Sequence, residues 1–175
     1  YIIRTGILRI LLSNYNRCQP HEIEFKLGDF GKPILNDSTL KFNLSHSESK
    51  TLIAINQDTE IGIDIEFIDP KIEVKTIAAN FFSKEEIRQL YTLTDENLAD
   101  GFFNIWTKKE AFIKAIGKGL TYPLDAFDVS LDNTEQKTLT RLDHSFSEAK
   151  KWNLFSIKTY NNFKAAIAYK GKTKQ

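Results

Sequence analysis

Two successions of a helical segment followed by short alternating strands predict an α+β chain, and an acidic strand near the middle predicts where its chemistry lies. The first succession opens with Ile3, Ile7, Leu8, Leu11, Leu12 and Tyr15 at helical spacing, which predicts a helix over 2–16. The second centres on Phe102, Ile105, Trp106, Phe112, Ile113 and Ile116, an apolar stripe that predicts a helix from Asn97 to Ile116. Gly117 and Gly119 are natural stops for it.

Between and after the helices the apolar period shortens to two. Ile23 and Phe25 alternate with charged residues, and Phe30-Gly31-Lys32-Pro33 signals a turn. Strands are predicted at 40–45, 51–56 and 60–67, with Gln57-Asp58-Thr59-Glu60 as a hairpin loop before the last. Asp69-Pro70 marks a boundary, after which Ser83-Lys84-Glu85-Glu86 has the capping-box spacing of a helix start. Further strands are predicted near 127–131, 153–159 and 163–169, the last two joined at Asn161-Asn162. The boundary divides the chain into 1–68 and 69–175. This pattern fits two similar α/β halves related by a pseudo-twofold axis, and equally a single sheet layered with helices.

The 175 residues suffice for one sizeable domain or two small packed halves. A net charge of +1 argues against a nucleic-acid binder that relies on a broad basic surface. Cys18 is the sole cysteine, which excludes an intrachain disulfide and fits a reducing, cytoplasmic setting. His21, His46, His144 and Cys18 are scattered without zinc-ligand spacing. No apolar run approaches the roughly 20 residues of a membrane span, so no membrane partner is expected. The absence of Met leads us to expect a piece of something longer.

In the strand 60–67, Ile61, Ile63, Ile65 and Phe67 share one face, and Gly62, Asp64 and Glu66 the other. Asp64 and Glu66 are then about 6.6 Å apart at Cα, close enough to converge on one cation. Gly62 leaves room for something to approach the backbone. On the second helix Glu110 and Lys114 are four residues apart and share a face, with Trp106 one turn earlier. Each segment alone is equally an ordinary surface, an exposed pair of this kind contributing only about 0.3–0.5 kcal/mol. Together, three acids beside a lysine suit magnesium and a pyrophosphate, since magnesium takes a few carboxylates and leaves positions for phosphate oxygens.

In this order the segments resemble the Sfp-type 4'-phosphopantetheinyl transferase family. The resemblance is carried by Ile61-Gly62-Ile63-Asp64-Ile65-Glu66 and by Trp106-Thr107-Lys108-Lys109-Glu110-Ala111-Phe112-Ile113-Lys114. Gly31-Lys32-Pro33, Phe42-Asn43-Leu44-Ser45-His46-Ser47, Phe81-Phe82-Ser83-Lys84-Glu85-Glu86 and Gly117-Lys118-Gly119-Leu120 agree with it, so it covers nearly the whole chain. It implies a pseudo-dimer of two similar α/β halves with the active site in the cleft between them. It also implies magnesium-dependent transfer of the 4'-phosphopantetheine arm of coenzyme A to a serine of an apo acyl or peptidyl carrier protein, releasing adenosine 3',5'-bisphosphate.

Carried over by position, the resemblance gives Asp64, Glu66 and Glu110 to the metal. Lys114 goes to the phosphates, aided by His46 and Lys109. Ser45 lines the same cleft, and Lys32 and Pro33 border the adenine and 3'-phosphate end of coenzyme A. Glu110, directly or through a metal-bound water, is the expected base for the carrier serine. The segment 68–82 is expected to face the carrier, with Lys71, Lys75, Lys84, Lys108 and Lys118 supplying positive charge. A pseudo-dimeric chain has less need of a second subunit, so a monomer is expected. A metal-dependent nucleotide pyrophosphate hydrolase and a non-catalytic carrier-binding module are the competing readings.

Overall fold

The apolar stripe of residues 2–16 forms α1 (Ile2–Asn16), which buries Leu8 and Leu12, one turn apart, and leaves Ile3, Ile7 and Ile10 exposed. The computed structural model describes residues 2–36, 38–132, 139–142, 145–160 and 162–171; His144 and Asn161 lie outside the described residues. After α1 come the short antiparallel pair β1 (Phe25–Leu27) and β2 (Pro33–Leu35), then the long hairpin β3 (Leu40–Ser47) and β4 (Lys50–Gln57). Leu8, Leu12, Ile23, Leu35, Leu40 and Phe42 close a small core between these elements, with the Phe25 and Phe42 rings 5.5 Å apart.

β5 (Ile61–Phe67) leads into three helices, α2 (Val74–Phe81), α3 (Lys84–Leu90) and α4 (Asp95–Ile116). The capping box read at Ser83 is present: Ser83 Oγ accepts from Glu86 N–H, and a Glu86 carboxylate oxygen accepts from Ser83 N–H. Gly117 ends α4 at φ +72°, the left-handed conformation that a residue without a Cβ adopts most readily. The short strands β6 (Phe127–Val129) and β7 (Leu139–Leu142) pair next, followed by α5 (Phe146–Ala149) and the hairpin of β8 (Trp152–Ile157) and β9 (Phe163–Lys170). The larger core surrounds α4, where Phe102, Ile105, Phe112 and Ile113 are almost wholly buried. Among the described residues no helix is long and apolar enough to cross a membrane.

A helix, a short antiparallel pair and a long hairpin recur in order, as α1, β1–β2 and β3–β4 and then as α4, β6–β7 and β8–β9, with α2, α3 and α5 in addition in the second part. That recurrence is the order expected of the pseudo-dimer. β5 joins the halves. One edge pairs antiparallel with β9, from Ile61 opposite Tyr169 to Phe67 opposite Phe163. The other edge lies along β3.

Candidate active site

Small residues bring α4 down onto the sheet. Gly62 and Asp64 on β5 stand opposite Ala168 and Ala166 on β9, so these four share a face. A Cβ on Gly62 would collide with Ala111 O and Ala115 N of α4. The space foreseen beside Gly62 is thus taken by the helix, not by a ligand. The close approach sets the last two turns of α4, with Glu110 and Lys114, against Asp64.

Asp64 is buried. Its Oδ1 accepts from Lys114 Nζ at 2.6 Å and from Ser45 Oγ at 2.8 Å. Its Oδ2 is buried without a hydrogen-bond partner, the one such side-chain atom among the described residues. Glu66 Oε2 accepts from Ser47 Oγ at 3.0 Å. Burial, and then the charge of Asp64, raise the Glu66 pKa; Ser47 and Lys114 act the other way. Burial likewise raises Glu110 to about 7, helped by Asp64 and Glu66 and opposed by Lys114. The charge of Asp64 thus raises the proton affinity of both Glu66 and Glu110, and carboxylates crowded in this way favour a cation between them.

Among the described residues no group of three or more acidic, histidine or cysteine side chains is spaced to hold a metal ion. Lys114 instead sits as the cation on Asp64. The donor set still suits magnesium: hard carboxylate oxygens, one of them buried and unpartnered.

Lys32, Pro33 and Asn43 of the first half and Lys114, Gly117 and Gly119 of the second line one cavity of about 230 Å3, a cleft between the halves. The Lys32 ammonium is tied within it, donating to Glu60 Oε2, Ile61 O and Ala115 O at 3.0–3.2 Å, and burial lowers its pKa. His46 lies on the face of β3 opposite Ser45 and is exposed. It lines a second, mostly apolar cavity of about 290 Å3 with Arg4, Thr5, Leu8 and Pro33. Pro33 borders both cavities. Arg4 carries no signal in the sequence, because an arginine on the first turn of an amphipathic helix has no distinguishing pattern.

Lys109 is the correction. It was expected at the phosphates, yet its side chain is fully buried on the far side of α4. Its Nζ is 2.7 Å from Glu86 Oε1 and donates to Leu124 O and Phe127 O at 2.6 and 2.8 Å. Adjacent helix positions point about 100° apart, so Lys109 and Glu110 face different surroundings. Lys108 is buried too, donating to Ser130 O at 2.6 Å, and burial lowers it to about 7, so it does not offer an exposed charge to a carrier. Lys71, Lys75, Lys84 and Lys118 are exposed. Trp106 stacks on Phe102 at 5.7 Å and meets Phe81 edge-on at 5.8 Å, which makes it part of an aromatic cluster under 68–82.

A family model described as the 4'-phosphopantetheinyl transferase superfamily matches residues 60–168, from the approach to β5 into β9, two residues short of its end. The 4'-phosphopantetheinyl transferase HetI of Nostoc sp. is 37% identical over 170 residues, covering 95% of this chain and 68% of HetI. The 4'-phosphopantetheinyl transferase Sfp of Bacillus subtilis is 37% identical over 134 residues, covering 76% of this chain and 58% of Sfp. The crystal structure of Thermotoga maritima holo-acyl-carrier-protein synthase matches with a TM-score of 0.50 at 20% identity, covering 66% of this chain and 64% of that one. That last likeness is one of fold. The chain spans between 58% and 68% of the length of these two curated relatives.

Proposed function

The chain belongs to the 4'-phosphopantetheinyl transferase superfamily, and from that premise we propose that it moves the 4'-phosphopantetheine arm of coenzyme A to a serine of an apo acyl or peptidyl carrier protein. The observation that supports this most is the buried, half-unpartnered Asp64 carboxylate beside Glu66, Glu110 and Lys114, next to the cleft between the halves.

Asp64, Glu66 and Glu110 are the residues that would hold magnesium. When bound, magnesium polarises a pyrophosphate and offsets its charge. In the reaction the carrier serine oxygen bonds to the β-phosphorus of coenzyme A. The bond from that phosphorus to the bridging oxygen breaks, and adenosine 3',5'-bisphosphate leaves with the electron pair. Glu110, beside Asp64 and Lys114, is the residue placed to take the serine proton. Lys114 meets the phosphate from the cavity side as a point charge. Lys32 shapes the cleft through Glu60 and two carbonyls, and with Pro33 borders the nucleotide end. His46 and Arg4, on the adjoining cavity, reach a second anionic group of a substrate as long as coenzyme A.

The carrier face on this reading is the segment 68–82 with exposed Phe81, Lys71 and Lys75, on a monomeric, cytoplasmic protein. The test is to incubate the chain with coenzyme A, magnesium and an apo carrier, and to weigh the carrier. A gain of one phosphopantetheine arm that is lost on chelation supports the reading. An unmodified carrier beside hydrolysed coenzyme A overturns it in favour of a pyrophosphate hydrolase.

A further inference from the structure

β3 and β5 run side by side and parallel, but side chains stand where a backbone ladder would be. Asn43 Oδ1 accepts from Ile63 N–H at 2.8 Å, Ser45 Oγ from Ile65 N–H at 3.4 Å and Ser47 Oγ from Phe67 N–H at 2.9 Å, each across an offset of 20 residues. Alternate residues of β3 point one way and alternate N–H groups of β5 point back, so the match repeats along both strands. The serines do more than seal this seam. A hydroxyl has one proton and two lone pairs. With a lone pair taken by the strand N–H, each proton is turned onto a carboxylate: Ser45 onto Asp64 and Ser47 onto Glu66.

We propose that Ser47 is a positioning residue: bonded at once to Phe67 N–H and to the Glu66 carboxylate, it fixes Glu66 in the orientation in which Glu66 and Asp64 face a divalent cation together. This rests on the reading that these carboxylates hold such a cation. Glu66 is only partly buried, and among the hydrogen bonds described here its carboxylate is held by Ser47 alone. Without the hydroxyl, the side chain would turn among its rotamers before each binding event. Ser45 stands in the same relation to Asp64, but Lys114 holds that carboxylate as well. Ser47 is therefore where the effect is cleanest.

The test uses Mn2+ alone as probe, with its free concentration read by electron paramagnetic resonance on the full chain. Ser47→Thr keeps the hydroxyl, and Ser47→Val has the same branched shape without it. Partners of this kind change metal affinity by about 10–100-fold, so Ser47→Val should weaken Mn2+ binding about tenfold while Ser47→Thr stays within about twofold of the parent. In a Glu66→Gln background the Val substitution should cause no further loss, because the residue it acts through is already changed. Equal Mn2+ affinity in the Thr and Val variants, or a loss that adds fully to that of Glu66→Gln, overturns the proposal. A seam role alone would lower the unfolding temperature of the Val variant and leave its Mn2+ affinity unmoved, which also overturns it. An unsubstituted chain that does not bind Mn2+ removes the reading beneath it, and the carrier assay reports separately on transfer.

Discussion

Glu110 couples the chemistry of the cleft to the stability of the chain. Its carboxyl titrates near 4.5 when free and near 7 when folded, so the folded state holds the proton more tightly. The associated stability is complete below about 4.5 and is lost as pH rises through about 7, and it is at most about 3 kcal/mol. With a chelator present, the urea midpoint should fall between pH 5 and pH 8. Glu110→Gln should flatten much of that slope, with Glu66 supplying a remainder of the same sign. An unchanged slope in the variant would show that Glu110 titrates normally. Lys114 carries a second expectation. It neutralises Asp64 and borders the cleft, so Lys114→Ala should slow transfer at least tenfold, about 1.4 kcal/mol of barrier. Single-turnover transfer to a carrier measures this directly.

At the scale of elements, α4 carries two different sets of charge on two sides. One side presents Glu110 and Lys114 to β5; another buries Lys109 against Glu86 of α3 and the carbonyls before and within β6. Glu86 also accepts from Val129 N–H at 2.9 Å, so one ion pair ties α3, α4 and β6 together. Removing one partner strands the other charge, and Lys109→Ala should cost about 3–5 kcal/mol in chemical denaturation. The Glu86→Gln, Lys109→Met double variant should recover part of that loss. This is also where sequence reading reaches its limit. The helix was legible from Phe102, Ile105, Phe112 and Ile113, and the strand from alternating Ile61, Ile63 and Ile65. That Lys108 and Lys109 both turn away from the cleft and Lys114 borders it was not, because the surroundings of each lysine are fixed by docking and leave no periodic mark. Likewise Gly62 was legible as a place of close approach, but only the folded chain identifies α4 as what approaches.

The described residues form a large core and a small one, with a third cluster of Ala54, Ile61 and Ile63 between them at β5. The first half closes over a few residues, among them Leu8, Leu12 and Phe42, while the second packs a full aromatic and aliphatic layer about α4. Regions with fewer buried contacts open at lower free energy. Amide hydrogen exchange should therefore find α1 and β1–β2 exchanging through partial openings that leave α4, β5 and β9 protected. Uniform protection across both halves would contradict this. The repeated order of helix then strands left the pseudo-dimer and a single layered sheet equally open, and only the family resemblance favoured the former; the offset of 20 residues between β3 and β5 was not legible at all: nothing in Asn43, Ser45 and Ser47 as isolated polar residues says which strand they meet.

That offset has a consequence for how the chain keeps to itself. β9 occupies one edge of β5 and the side chains of β3 occupy the other, so the folded strand shows no bare edge. Its β-branched, proline-free run is the kind of segment that pairs with copies of itself when an edge is open. Until the first half docks during folding, a row of β5 N–H groups is available to a neighbouring molecule. The yield of soluble protein on refolding should accordingly fall as concentration rises, and light scattering should show a steeper fall for Asn43→Ala than for the parent. The polar residues along β3 thus act during folding as a shield against aggregation, before any substrate reaches the cleft.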